Sequence, residues 1–275
     1  QFKIKVMMNL KDLHHFSQRL RNTDRMPALF IGHGSPMNGI EKNIFSDSWK
    51  TLGERIQVPS AILCISAHWL TRGTFITAMD HPRTIHDFGG FPDELYQVQY
   101  PAPGNPELAK EISEMIKYTN AGLDHEWGLD HGTWSVIRKM YPDARIPVLQ
   151  LSIDYFQPGD FHYRLAKDLA ALRKKGVLIV GSGNMVHNLR MAAFDQINNL
   201  GYGFDWAMEM NEVFKDKILN KDHAPLIKYE NLSDAAKLAI PTPDHYWPLL
   251  YILGLQQPED ETVIFNDELL AGSLS

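Results

Sequence analysis

Ala61-Ile62-Leu63-Cys64-Ile65-Ser66-Ala67-His68 is an almost unbroken apolar run that ends on a histidine. A half-buried strand alternates apolar and polar residues, whereas a run with no such alternation suits a strand covered on both faces, as in a parallel sheet between helices. Ala28 to Ile31, Pro147 to Ile153 and Val177 to Val180 have the same character. Helical patterns lie between them. Asn105-Pro106 reads as an N-cap and first helical residue, with Leu108, Ile112 and Ile116 recurring on one face. Asp160 reads as the cap of a second helix, where Leu165, Leu169 and Leu172 recur before the basic end Arg173-Lys174-Lys175 and a stop at Gly176. Leu249 to Leu253 reads as a third, ended by Gly254. The alternation predicts an α/β fold, a central mainly parallel or mixed sheet flanked by helices.

The chain of 275 residues reads as one domain over residues 26–275 behind an N-terminal extension, residues 1–25, in which Lys11 to Leu20 suggests a short amphipathic helix. With 44% hydrophobic and 22% charged residues it can bury a full core without disulfides or metal staples, so a metal here would serve chemistry. A net charge of −6 and the lack of a dense Lys/Arg run argue against nucleic acid as a partner. No apolar stretch is long enough to span a membrane and no signal-peptide pattern opens the sequence, so a cytoplasmic protein is expected. The single cysteine, Cys64, lies inside an apolar run and reads as a small buried hydrophobe.

The placement of the histidines is more informative. His33 directly follows Leu29-Phe30-Ile31-Gly32, His68 follows the run from Ala61, and His187 follows Val180-Gly181-Ser182-Gly183-Asn184-Met185-Val186. Each stands just past a predicted strand, and in open α/β sheets the carboxyl ends of the strands line the ligand crevice. His245 lies in the irregular segment Pro241-Thr242-Pro243-Asp244-His245-Tyr246-Trp247-Pro248. Clustered imidazoles serve metal coordination or proton transfer. Spacing alone leaves open a metal site or scattered structural histidines, since no compact zinc pattern such as H-E-x-x-H occurs. The Pro- and Gly-rich segment from Asp80 to Asn105 reads as a long ordered loop.

Five strings, taken in order, carry a resemblance: Gly32-His33-Gly34-Ser35-Pro36-Met37, Ser66-Ala67-His68-Trp69, His86-Asp87-Phe88-Gly89-Gly90-Phe91-Pro92, Trp127-Gly128-Leu129-Asp130-His131-Gly132, and Gly181-Ser182-Gly183-Asn184-Met185-Val186-His187-Asn188. From about Met26 onward the chain resembles the class III (LigB-type) extradiol ring-cleavage dioxygenases, most closely their DOPA-4,5-dioxygenase branch. The resemblance implies one non-haem Fe(II), or zinc in some purified proteins, per chain, with a catechol and O2 as substrates. It assigns His33 and His68 as ligands, His187 beside the metal as acid/base and a further potential ligand, and His131 near the substrate. Where the protocatechuate branch has a glutamate as third ligand, the DOPA branch has a histidine, which His245 matches. The set thereby departs from the 2-His-1-carboxylate triad and leaves Asp244 as a secondary candidate.

Several side chains keep two readings. His131 could donate a hydrogen bond to substrate or oxygen, its tautomer fixed by Asp130, or cap a helix beginning near Thr133. His86 and Asp87 could line the substrate pocket or simply form turns. Phe91 and Tyr96 could wall the ring or fill the loop's own core. A zinc-dependent hydrolase and a non-catalytic binding protein on the same scaffold are the rival functions. The sequence does not specify an oligomeric state.

Overall fold

The computed structural model describes residues 23–275. The helix suggested over Lys11 to Leu20, like most of the N-terminal extension, lies outside the described residues. Eight strands are present among the described residues: β1 (Ala28–Gly32), β2 (Ala61–Ser66), β3 (Leu70–Thr71), β4 (Thr74–Thr77), β5 (Ala121–Asp124), β6 (Val148–Gln150), β7 (Ile153–Asp154) and β8 (Val177–Gly183). The main sheet is parallel throughout, in the order β1-β8-β2-β6. Its longer helices are α1 (Ile44–Arg55), α2 (Pro106–Met115), α3 (His131–Met140), α4 (Gly159–Asp168), α5 (Asp205–Leu219) and α6 (Trp247–Leu255).

The continuous apolar runs are explained by burial on both faces. Ala61, Leu63 and Ile65 of β2, with Val177 and Ile179 of β8, join one core cluster with Leu108 and Ile112 of α2, Leu165 of α4 and Leu250 of α6. The intervening Ile62, Cys64, Leu178 and Val180 join the other, with Trp49 of α1 and Trp134 and Ile137 of α3. Successive side chains of a strand point to opposite faces, so β2 and β8 feed two cores at once. Full burial of an Ile or Leu side chain contributes about 1.5–3 kcal/mol each.

Local chemistry sets the helix ends. The Asn105 side chain accepts from the Leu108 N–H at 2.9 Å, as its N-cap role predicts, and Leu108, Ala109 and Ile112 are buried. Asp160 does not cap its helix; the cap position is Pro158, and Asp160 pairs with Arg164 one turn on, at 2.9 Å. Gly254 does not end its helix either. It lies inside α6, where a Cβ would collide with the Tyr163 carbonyl of α4, so its small size serves close helix packing. The run from Pro147 to Ile153 breaks into β6 and β7, the latter leaving the main sheet to pair with β3. Arg173, read as part of a basic helix end, is buried and ion-paired with Asp260 at 2.5 Å.

Candidate metal centre

Three adjacent strands deliver the site. His33 follows β1, His68 follows β2, and β8, which runs between them, ends on the Gly183-Asn184 turn leading to His187. The His33 N–H donates to the Gly183 carbonyl at 3.1 Å and the Ala67 N–H to the Ser182 carbonyl at 3.0 Å, so β8 holds both neighbours. His245 arrives from the loop before α6, where the Pro243 carbonyl accepts from the N–H groups of Tyr246 and Trp247. The Asn184 N–H then donates to the His245 carbonyl at 2.9 Å.

The ring nitrogens of His33, His68 and His245 offer one ligand atom each within 4.8 Å of one another. The back of every ring is occupied. His33 Nδ1 lies 3.0 Å from Ser182 Oγ, whose own hydrogen goes to the Gly132 carbonyl at 2.5 Å. That hydroxyl must therefore accept, which puts the His33 proton on Nδ1 and a lone pair on Nε2. His68 Nδ1 faces Asp87 Oδ2 at 3.5 Å, and His245 Nδ1 faces Asp244 Oδ2 at 2.5 Å. The His33 and His68 Nε2 atoms meet at 3.1 Å. Lone pairs aimed at one another across that distance fit a cation between them, and imidazoles pinned from behind by a carboxylate or hydroxyl are the usual construction of a metal-binding histidine.

Electrostatics agree with this donor set. Burial, then the neighbouring imidazoles, push His33 and His68 well below the ordinary histidine range, so both rings are neutral at neutral pH. Burial works against the charge of Asp244 and Asp87, yet hydrogen bonding to His245 and to His131 respectively holds both carboxyls below their usual values. Asp244 thus grips the back of His245 rather than offering itself at the point where the three rings converge.

His187 stacks face to face on His245, ring centroids 3.6 Å apart and planes within 9°. Its nitrogen groups with Asp244 and His245, not with the His33–His68 pair. Burial, then His245, lower its pKa to about 3. His131, the first residue of α3, packs on His68 with centroids 3.9 Å apart. The N-cap of α3 is Asp130, whose side chain accepts from the Thr133 N–H at 3.1 Å, and the carboxylate touching His131 is Asp87, with Oδ2 3.0 Å from Nδ1. The expectation that Asp130 orients His131 is corrected accordingly.

A cavity of about 1290 Å³ reaches His33, His68, His131, His187 and His245. Phe88 and Phe91 stand on its wall, while His86, Asp87 and Tyr96 do not line it. His86 Nε2 lies 2.9 Å from the Val98 carbonyl and its ring packs against Trp134, which anchors the loop. Phe88 was not singled out by sequence reasoning; its place between Asp87 and the Gly89-Gly90 pair was the available signal.

The family described as the catalytic LigB subunit of aromatic ring-opening dioxygenase matches residues 27–272. The chain belongs to the LigB family. Among its relatives, the 4,5-DOPA dioxygenase extradiol of Escherichia coli K12 is 46% identical, the alignment covering 93% of this chain and 94% of that protein. The 4,5-DOPA dioxygenase extradiol of Beta vulgaris is 36% identical over 90% of this chain and 93% of its own length. A solved structure of an uncharacterized Escherichia coli K12 protein superposes with a TM-score of 0.77 at 41% identity, covering 91% of this chain and 98% of that one. In this chain the fold is a parallel sheet between helices, with the histidine cluster at the carboxyl edge of the sheet. No helix among the described residues is long and apolar enough to cross a membrane.

Proposed function

We propose that this LigB protein is an extradiol dioxygenase that opens a catechol of the DOPA type by 4,5-cleavage with O2, at one non-haem Fe(II) held by His33, His68 and His245. The observation that carries the reading is the convergence of the His33 and His68 Nε2 atoms, 3.1 Å apart, with the proton of His33 tied to Ser182 and His68 backed by Asp87. The relatives named as 4,5-DOPA dioxygenases support the substrate class. A bound Fe(II) supplies a chelation point for adjacent hydroxyls and the redox chemistry through which O2 reacts with an aromatic ring.

The chain's own residues do the rest. His187, neutral at neutral pH, stands beside His245 to relay a catechol proton, which its low pKa makes it pass on rather than hold, and general acid–base roles of this kind are worth about 10²–10⁴ in rate. His131 faces the substrate from the α3 side of the cavity, and Phe88 and Phe91 give the ring an apolar wall that limits water. His86 and Asp87 act from behind the cavity, as anchor and support of the loop.

The test is oxygen uptake and yellow product formation with a panel of catechols, using protein loaded anaerobically with Fe(II) and, in parallel, with zinc. Turnover by the iron form alone, with mono-phenols inert and side-chain changes grading the rate, is the expected result. A lack of oxygen uptake by the iron form with every catechol, together with hydrolysis of an ester or amide by the zinc form, would overturn it in favour of a zinc hydrolase. Binding of catechols without turnover of any kind would favour a non-catalytic binding protein.

A further inference from the structure

Asp87 is held on both sides. His86 before it is tied to the Val98 carbonyl and packed on Trp134, and Phe88 after it stands edge-on to His131 with centroids 5.6 Å apart. Its Oδ1 accepts from the His131 backbone N–H at 2.9 Å, at the N-terminus of α3. Its Oδ2 lies 3.0 Å from His131 Nδ1 and 3.5 Å from His68 Nδ1. The other carboxylate at this helix end is already committed: Asp130 accepts from Ser66 Oγ at 2.6 Å, Gln150 Nε2 at 2.7 Å, Trp127 Nε1 at 3.4 Å and the Thr133 N–H. Asp87 alone is left to face the two rings.

We propose that Asp87 is a positioning residue that fixes the tautomers of His68 and His131 together, so that His131 meets the substrate as an acceptor for a hydroxyl and not as a donor. His131 Nδ1 is buried with no other partner, and an ionised carboxylate has no proton to give, so the charge of Asp87 favours the hydrogen on each Nδ1 that faces it and a lone pair on each Nε2. For His68 that lone pair is the one aimed at His33. For His131 it is the one left for the cavity, since no partner for His131 Nε2 exists among the described residues. The identity of the hydroxyl rests on the catechol reading; the tautomers do not.

Asp87→Asn tests the assignment with a defined sign. The amide oxygen can keep the bond from the His131 backbone N–H, which leaves the NH2 group facing the two rings. A donor there requires an acceptor, so His131 should switch to the Nε2–H form, while His68, whose Nε2 lone pair the metal takes, keeps its Nδ1–H opposite the new donor and holds the metal less well. Nitrogen NMR of histidine-labelled, zinc-loaded protein should show His131 protonated on Nδ1 in the wild type and on Nε2 in the variant. Zinc affinity and, with iron, kcat/KM should each fall about 10–100-fold. Asp87→Leu, which offers neither donor nor acceptor, should leave His131 averaging between its two tautomers. A wild-type His131 protonated on Nε2, or nitrogen shifts unchanged in Asp87→Asn, would overturn the proposal, and the wild-type spectrum decides even if the variants fail to fold. If the shifts are as expected while no catechol is consumed, the positioning role stands and the dioxygenase reading falls.

Discussion

Gly183 and His245 touch through their backbones: a Cβ on Gly183 would collide with the His245 carbonyl oxygen, the same oxygen that accepts the Asn184 N–H. A side chain at this position therefore has to displace the loop that carries the third histidine. Gly183→Ala is expected to lower stability by about 1–3 kcal/mol and to reduce metal content far more than secondary structure. Metal analysis beside circular dichroism checks this; full metal occupancy in a folded variant would contradict it.

His187 and His33 should separate in their effects. His187→Ala removes the ring stacked on His245 without touching the three converging nitrogens, so it should keep most of the metal and lose about 10²–10⁴ in turnover. His33→Ala should lose the metal itself. Equal metal loss in both variants would make His187 an ordinary ligand.

Acid should attack the Arg173–Asp260 pair. Burial alone would raise the Asp260 carboxyl, but Arg173 and the Gln257 N–H hold it at about 2. Unfolded, it titrates near 3.9, so its stabilisation is complete above about pH 4 and disappears as pH falls through 2. Asp260→Ala leaves the Arg173 guanidinium buried without its carboxylate and should cost about 3 kcal/mol at neutral pH. Denaturant midpoints at pH 7 and pH 3 measure both effects, and the variant should show the smaller drop between them.

His162 should shape stability at milder pH. It is buried beside the Tyr251 hydroxyl at 3.1 Å, and desolvation lowers its pKa to about 4. The unfolded chain takes up that proton near 6.5, so the unfolded state binds more protons between these values and stability declines as pH falls from 6.5 to 4. His162→Phe should flatten that slope whatever its absolute stability. An unchanged slope would assign the effect elsewhere.

What was legible in the sequence follows from what is local. The continuous apolar runs identify β1, β2 and β8 because burial on both faces removes any alternation, and the histidines just past them mark the sheet edge. Strands of two to four residues such as β3, β4, β5 and β7 have too little length for a period to show. Asp160 failed as a cap because Asp is equally at home in the first turn of a helix, where its charge suits the dipole. The partners behind the rings were the hardest to find. Asp87 lies 44 positions from His131, and Ser182 lies 149 from His33. Only the folded chain brings them together, and Asp130, adjacent in sequence to His131, was the natural but mistaken choice.

The order β1-β8-β2 makes the sheet a ruler for the histidine cluster. His33 and His68 leave strands separated by one intervening strand, roughly 9–10 Å at the ladder spacing, and their rings lean inward over the end of β8 to meet. A slip of β8 by one residue would turn Ser182 to the opposite face and leave His33 Nδ1 facing a glycine. The spacing of His33 and His68 is thus a property of backbone hydrogen bonding in the sheet. Residues 88–105, which follow Asp87 and carry Phe88 and Phe91, can vary the cavity wall while the distance between the two pinned nitrogens stays where the ladder put it.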